Sequence, residues 1–513
     1  MRLESLYIRS WKNLQDFEIH FSDVQTTVLV GQNGTGKSNV LEALIIIFRD
    51  LDLGAPPLFA FKLAYRCKGK SIRVDCDPAR RGRTALIEVD GERWRADRFS
   101  RKGGGEYLPG FVFGYYSGPS NRMERHFESH QIRFASDLRE GADRPLRPLL
   151  YARLVHSQFV LLSFFARESG DREVLTRFLR IVDLDSVLFV LKRPSWFNPN
   201  RGADPTNPGD PRIWGARGVV RDFASRLYRI ALAPMRGRRG SERLYLYLKD
   251  KKDLLALADG YDNQAEFFKA LESLYISDLI EDVRTRVTIS GSDDALTFRE
   301  LSEGEQQLLT VLGLLRFVEG QEGLILLDEP DTHLNPSWSL DYTYLLKTHV
   351  SDPDSANIVM ATHDPLVVSA LTRDEVRVMR RGEADRIHAA VPEEDPKGMG
   401  VAGLLTSELY GLRSQLDRET LNALDRKRDL ASLDTLTPEQ RAELSSLNEY
   451  LANLDFSRTT RDPLYKPYVS AMTVLENHLA LRKATLTPGE IDRRQELANE
   501  VVRLLLERLE AEP

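Results

Sequence analysis

Residues 25–47 read QTTVLVGQNGTGKSNVLEALIII, an apolar run, a glycine-rich octapeptide and a second apolar run at helical spacing. Few folds accommodate a glycine loop between a short buried strand and a helix. GQNGTGKS satisfies the GxxxxGK[ST] phosphate-loop pattern with Gly31, Gly36, Lys37 and Ser38. Glycines let backbone N–H groups curl around phosphates, a lysine neutralises β/γ charge, and a hydroxyl at the helix start ligates Mg²⁺. The strand before the loop and the helix after it are the context the pattern requires. The chain is therefore expected to bind ATP with Mg²⁺ on a strand, loop and helix unit.

Two further apolar runs end in polar residues suited to that chemistry. GLILLDEPD closes on Asp328 and Glu329, the first expected to hold Mg²⁺ together with Ser38 and the second to polarise the attacking water. NIVMATHDP places His363 at the end of another apolar strand, where ligands collect in open α/β sheets, and this histidine is expected to sense the γ-phosphate. Both runs have the short, fully apolar character of strands covered on two faces.

LSEGEQQLLTVLGLL, residues 301–315, invites a simpler reading first. Ser302 with Glu305 three positions later is a capping box, and Leu308, Leu309, Leu312 and Leu315 then follow at helical spacing. A capped helix end with a glycine at the point of close approach is also an anion site, and the phosphate loop already has a helix of its own.

The formal charge is −6, with 71 Lys plus Arg against 77 Asp plus Glu, so no overall basic field attracts nucleic acid and any DNA contact must be local. Runs such as ALIIIF and FVLLSFFA fall short of the roughly 20 residues of a bilayer span. MRLESLYIRSWKN carries charges where a secretory signal needs an apolar core, so the chain is expected to be cytoplasmic, with no membrane partner. Cys67 and Cys76 are too few for a zinc site or a disulfide framework, and RHFESHQ lacks the glutamate of HExxH.

Organisation follows from periodicity and breakers. Residues 1–146 hold two β-like runs, the phosphate loop, a hairpin at Asp90-Gly91 and more β-structure up to FVFGYYSGP. Residues 147–285 are expected to be a mainly helical insertion, with a long Pro/Gly loop at 194–218. Residues 286–395 begin with a hairpin in VTISGSDDALTFREL and carry the remaining ATP motifs, and residues 396–513 read as helical, with Thr437-Pro438 and Thr487-Pro488 as helix starts.

The order phosphate loop, LSEGEQQ, LILLDEP, DTHLNP, ATHD resembles the ABC-type ATPases, whose signature is LSxGE(Q/R)Q. That resemblance implies a P-loop mixed sheet with flanking helices and an antiparallel β subdomain, an ABC-ATPase head in the α/β class. It also implies that Ser302, Gly304 and Glu305 form a surface read by a second subunit, Ser302 and Gly304 reaching a γ-phosphate held by the other half of a head-to-tail dimer. The segment NGTGKSNVLEA matches the NGxGKSNxxxA of the RecF, SMC and OLD branch, which adds Asn33, Gly34 and Asn39 to the nucleotide-binding set. Two departures stand out: no clear Q-loop glutamine follows FVFGYYSGPSNR, and Asn335 occupies THLN where many relatives carry aspartate or histidine.

The OLD nucleases add a TOPRIM domain whose acidic set is missing from the helical tail. FVFGYYSGPSNRMERHF with that tail resembles the PtuA-like ATPases of Septu antiphage systems and retron modules. The resemblance implies a separate nuclease subunit of the HNH type, a DNA-linked activity and no nuclease centre in this chain. DFSRTTRDPLYKPYVSAM, in the tail, has the arginine, tyrosine and proline content of a contact surface. The alternative is a RecF-like ATPase that clamps DNA directly through the basic loops DPARRGR and MRGRRGSER.

Overall fold

A computed structural model describes residues 1–454 apart from 143–147, 168–173, 200–208, 240, 292–294, 318–321, 350–354, 383–384, 432 and 434; beyond 454 it describes Leu497 and Arg503. The chain divides into two units, Met1–Leu412 and Arg413–Pro513. The unit boundary lies beyond the expected break at 395, because the helix Gly400–Thr406 belongs with the first unit.

The first unit is built on a seven-stranded sheet. Its order is Ile387–Ala390, Val376–Arg381, Thr26–Val30, Ala356–Ala361, Gly323–Asp328, Phe111–Tyr116 and Leu149–Tyr151. All neighbours run parallel except the first pair, which is antiparallel. The three runs Thr26–Val30, Gly323–Asp328 and Ala356–Ala361 are buried at every position, because helices or sheets cover both faces. Alternate side chains feed two separate cores: Val28, Ile325, Leu327, Ile358 and Met360 point to one, Leu29, Leu324, Leu326 and Val359 to the other. The helix Lys37–Leu53 packs in the second core and the helix Glu303–Phe317 in the first, so the sheet separates the two helices that carry the phosphate loop and LSEGEQQ.

A six-stranded antiparallel sheet shares the core of the Lys37–Leu53 helix, in the order Leu14–His20, Arg2–Trp11, Phe61–Cys67, Lys70–Cys76, Ala85–Val89, Glu92–Trp94. The Asp90-Gly91 hairpin forms with both turn residues at positive φ, 49° and 83°. Cys67 and Cys76 lie buried on neighbouring strands as free thiols, each pushed up to about 12 by burial first.

The region 147–285, expected to be mainly helical, also contains a sheet that the spacing did not indicate. Helices do form at Val155–Phe165, Gly218–Ile230, Lys251–Ala258 and Gln264–Ile276. Between them stands an antiparallel sheet ordered Met235–Arg239, Ser241–Leu248, Ile181–Lys192, Ile280–Ile289, Ala295–Thr297. Leu184, Val187 and Leu191 stand three and four apart, which imitates a helix, but Val187, Phe189 and Leu191 are buried in alternation on a central strand. Pairing on both sides decides the outcome, and nothing local to the segment announces it. The hairpin expected in VTISGSDDALTFREL forms at its two paired strands. Part of the 194–218 loop lies outside the described residues.

In the second unit the helices Arg418–Ala431 and Pro438–Asn453 are joined by a two-pronged Arg426–Glu443 pair at 2.8 and 2.9 Å. Thr437 caps the second helix as expected, accepting from the Gln440 N–H at 3.2 Å while its own N–H donates to the Gln440 side chain at 2.9 Å. Thr487-Pro488 and DFSRTTRDPLYKPYVSAM lie outside the described residues.

Candidate nucleotide site

Where the parallel strands end, their loops line a cleft of about 350 Å³. Asn33, Gly34, Gly36, Lys37, Ser38, Asn39 and Glu329 contribute to it, joined by two residues that no motif indicated, Asn13 and Arg122. Gly31 and Gly36 are required by the backbone: a Cβ at Gly31 would strike the Met379 carbonyl oxygen, and Gly36 caps the Lys37–Leu53 helix at φ 86°. No side chain caps that helix and no acid sits in its first turn, so its N–H groups face the cleft.

Lys37 bends back over the loop and donates to the Gly31 carbonyl at 2.7 Å. Burial lowers its pKa, opposed by Glu329 and then Asp328. Ser38 Oγ donates to Asp328 Oδ1 at 2.9 Å, joining residues 290 positions apart. Asp328 is fully buried, and desolvation pushes its carboxyl up to about 6 against the Ser38 hydrogen bond and the charges of Arg122 and Lys37. Its second oxygen, Oδ2, has no hydrogen-bond partner. A buried carboxylate oxygen left so beside a hydroxyl is the donor pair a hard divalent cation takes, so these residues fit Mg²⁺.

Glu329 has φ 51°, a left-handed conformation for a non-glycine residue, and its N–H is held by the Ala361 carbonyl at 2.8 Å. Such a backbone costs about 1–3 kcal/mol and persists only where the surroundings enforce it. Here it turns the carboxylate toward the end of the neighbouring strand and His363, whose Nδ1 lies 3.2 Å from Glu329 Oε1. Asp331, just beyond, accepts from Thr362 Oγ1 at 2.6 Å and fixes the two strand ends together.

Ser302, Gly304 and Glu305 do not line this cleft. Ser302 is exposed, its Oγ donating to Glu305 Oε2 at 2.8 Å and accepting from the Glu305 N–H at 3.3 Å, while its own N–H donates to Glu305 at 2.7 Å. The expected capping box is therefore present. Gly304 is buried, and a Cβ there would collide with the His333 carbonyl, so its own chain already requires a glycine at this position.

Asn13 and Arg122 escaped the sequence reading because each reaches the cleft from a distance. Asn13, in a turn between two strands, donates to the Gly34 carbonyl at 2.9 Å and accepts from Asn39 at 2.6 Å. Arg122 donates to Asn39 Oδ1 at 2.7 Å from the segment that follows Phe111–Tyr116. His126 and His130 face the buried carboxylates Glu42 and Asp52 at 2.9 and 3.0 Å.

A phosphate loop, an acidic strand end and a strand-end histidine around one parallel sheet, with LSEGEQQ on a separate helix, define an ABC-type ATPase of the branch that contains RecF, the SMC heads and OLD. Residues 1–82 match the family described as AAA ATPase domain, and residues 162–369 match an AAA domain family described with the AbiEii toxin of a Type IV TA system. The chain is similar to Septu protein PtuA of Bacillus mycoides, 28% identical over 37% of this chain and 28% of that protein. It is also similar to Septu protein PtuA of Bacillus thuringiensis, 33% identical over 18% of this chain and 25% of that one. The alignments thus span about a quarter of those relatives' length. The SMC head domain of Thermotoga maritima superposes with a TM-score of 0.33 at 14% identity, over 77% of this chain and 100% of that one. No helix among the described residues is long and apolar enough to cross a membrane.

Proposed function

We propose that this chain binds and hydrolyses ATP with Mg²⁺, closes into a head-to-tail dimer around two nucleotides, and gates a DNA-linked activity. In this reading it is the ATPase subunit of a prokaryotic antiphage defence complex, acting in the cytoplasm with a separate nuclease. The observation that carries it is the meeting of Lys37, Ser38, Asp328, Glu329 and His363 beyond the C-terminal ends of the central parallel strands, with Ser302 exposed elsewhere. Lys37 and the open helix end hold phosphates, Ser38 and Asp328 hold the cation, and Glu329 orients a water that His363 helps to align. Bound Mg²⁺ would neutralise charge on the β- and γ-phosphates.

The similarity to Septu protein PtuA supports the defence role, and the separate HNH-type nuclease is what the resemblance of the sequence to PtuA-like ATPases implies. Direct clamping of DNA is favoured less, since arginines of the basic loops are engaged: Arg80 with Asp75 at 2.6 Å, Arg236 with Glu242 at 2.5 Å, Arg243 with Glu281 at 2.6 Å. The test is ATP turnover and particle mass with ATP and Mg²⁺ for the wild type and Glu329→Gln, followed by DNA cleavage with and without the nuclease encoded nearby. The expected result is an ATP-stabilised dimer and cleavage only with the partner. Cleavage by the chain alone would overturn the separate-nuclease reading.

A further inference from the structure

The cleft contains one cation that the motifs leave unexplained. Arg122 faces it beside Lys37, Ser38 and Glu329, and its guanidinium donates to Asn39 Oδ1 at 2.7 Å and Glu42 Oε2 at 3.1 Å. Glu42, on the phosphate-loop helix, is fully buried, and its ionised form is held strongly despite desolvation. It does so with more partners than it needs: Lys12 bonds the same oxygen as Arg122, while Arg125 and His126 reach Oε1 at 3.0 and 2.9 Å. Removing a sole partner would strand a buried charge, but withdrawing Arg122 leaves three. The same holds for each of the four, and among them Arg122 is the one that lines the cleft beside the phosphate loop.

We propose that Arg122 is a phosphate-contact residue that exchanges partners with the state of the nucleotide. A bound nucleoside triphosphate draws the guanidinium from Asn39 and Glu42 to oxygens of the terminal phosphate. A guanidinium fork suits phosphate and loses little by leaving a carboxylate that keeps its other cations. The exchange has a reach, because Ser117–Asn121, immediately before Arg122, line a second cleft that includes Glu303 and Gln307 of the LSEGEQQ helix. Ser117 Oγ also meets Thr332 Oγ1 at 3.1 Å, just past the acidic strand end. Loss of the terminal phosphate would return Arg122 to Asn39 and Glu42 and reset this segment.

The inference rests on ATP binding in this cleft, so Lys37→Ala is the control. Affinities of the full chain for ATP and ADP with Mg²⁺, and melting temperatures with and without each, are to be measured for wild type, Arg122→Ala, Arg122→Lys and Arg125→Ala. Arg122→Ala should weaken ATP roughly 10- to 100-fold, the scale of one charge-assisted contact, and ADP less than about threefold. Its melting temperature without nucleotide should stay within a few degrees of wild type, Arg122→Lys should recover part of the ATP affinity, and Arg125→Ala should leave both affinities unchanged. Equal losses for ATP and ADP, or none, would overturn the partner exchange while Lys37→Ala still abolishes binding. Wild-type affinity in Lys37→Ala would instead sink the ATP reading itself. If Arg122→Ala does not fold, Arg122→Gln, which can still bond Asn39, must show the same ATP-selective loss.

Discussion

The helices that carry the phosphate loop and LSEGEQQ have opposite first turns. The Lys37–Leu53 helix starts at a left-handed Gly36, has no capping side chain and no acid in its first turn, and places Lys37 there instead. The Glu303–Phe317 helix starts with Ser302 and Glu305 satisfying each other and carries Glu303 and Glu305 in its first turn. The first end is electropositive with donors to spare; the second is closed and negative. In the proposed reading the first end takes a phosphate directly, whereas the second would accept one only after Ser302 gives up Glu305. A closed end of this kind suits a contact made late, when a second subunit brings a phosphate already bound elsewhere.

The largest effect is expected from removing the charge at the open end. Lys37→Ala should reduce ATP affinity by at least about 100-fold, on the scale of a lost preorganised cation, whereas Ser302→Ala in dilute chain should change it less than about threefold. A titration with fluorescent ATP measures both, and similar losses in the two variants would erase the contrast between the helix ends.

Glu329→Gln should next lower turnover about 10²- to 10⁴-fold with ATP binding retained, as removal of a general base does. Steady-state phosphate release is the measurement, and an undiminished rate would take Glu329 out of the chemistry. Mixing two inactive variants sharpens the comparison. Ser302→Arg blocks only the closed end and Lys37→Ala only the open one, so random pairing gives about half mixed dimers, each with one intact composite site. Recovery should approach roughly a quarter of wild-type activity. No recovery after demonstrated subunit exchange would argue that the two ends do not meet across subunits.

A pH effect of intermediate size comes from Asp328. Its folded carboxyl titrates at about 6, above the unfolded value near 4, so between those values the folded chain binds the extra proton. Ionised Asp328 is what a cation needs, so Mg²⁺-dependent ATP affinity should fall about tenfold per pH unit below about 6. Without Mg²⁺ the same group makes the fold more stable as pH falls through 6 toward 4, and less stable as pH rises. Calorimetric titrations between pH 5 and 8 would show the break, and an affinity flat across that range would move the cation away from Asp328.

The smallest effect concerns the closed end as structure. Ser302→Ala should cost about 1 kcal/mol through the lost cap, read as a shift in denaturation midpoint, and Gly304→Ala about 1–3 kcal/mol because its methyl meets the His333 carbonyl. A Gly304→Ala chain as stable as wild type would mean that the demand for glycine comes only from a partner.

What the sequence revealed divides along the same line. The phosphate loop, the capping box and the acidic strand end were legible because each is contiguous and its chemistry depends on local spacing. Arg122 and Asn13 were not, since their places in the cleft come from the strands that deliver them, Arg122 standing 83 residues from its partner Asn39. Within residues 147–285 helices were legible, but Ile181–Lys192 fits both periodicities, and its strand state depends on neighbours at Ser241–Leu248 and Ile280–Ile289. The first unit extends to Leu412 rather than 395 because the short helix Gly400–Thr406 reads like the helices of the tail but belongs with the first unit.

The 290-residue separation of Ser38 from Asp328 has a consequence in time. A ribosome adding about 5–20 residues per second needs on the order of 15–60 s to travel from one to the other. Throughout that interval the nascent chain holds a phosphate loop without the carboxylate that completes its cation site. The neighbouring strand Ala356–Ala361 comes later still, so in the proposed reading competence for Mg²⁺-nucleotide would be among the last properties this head acquires during synthesis. Binding of the nucleotide is then a report that the head has been finished.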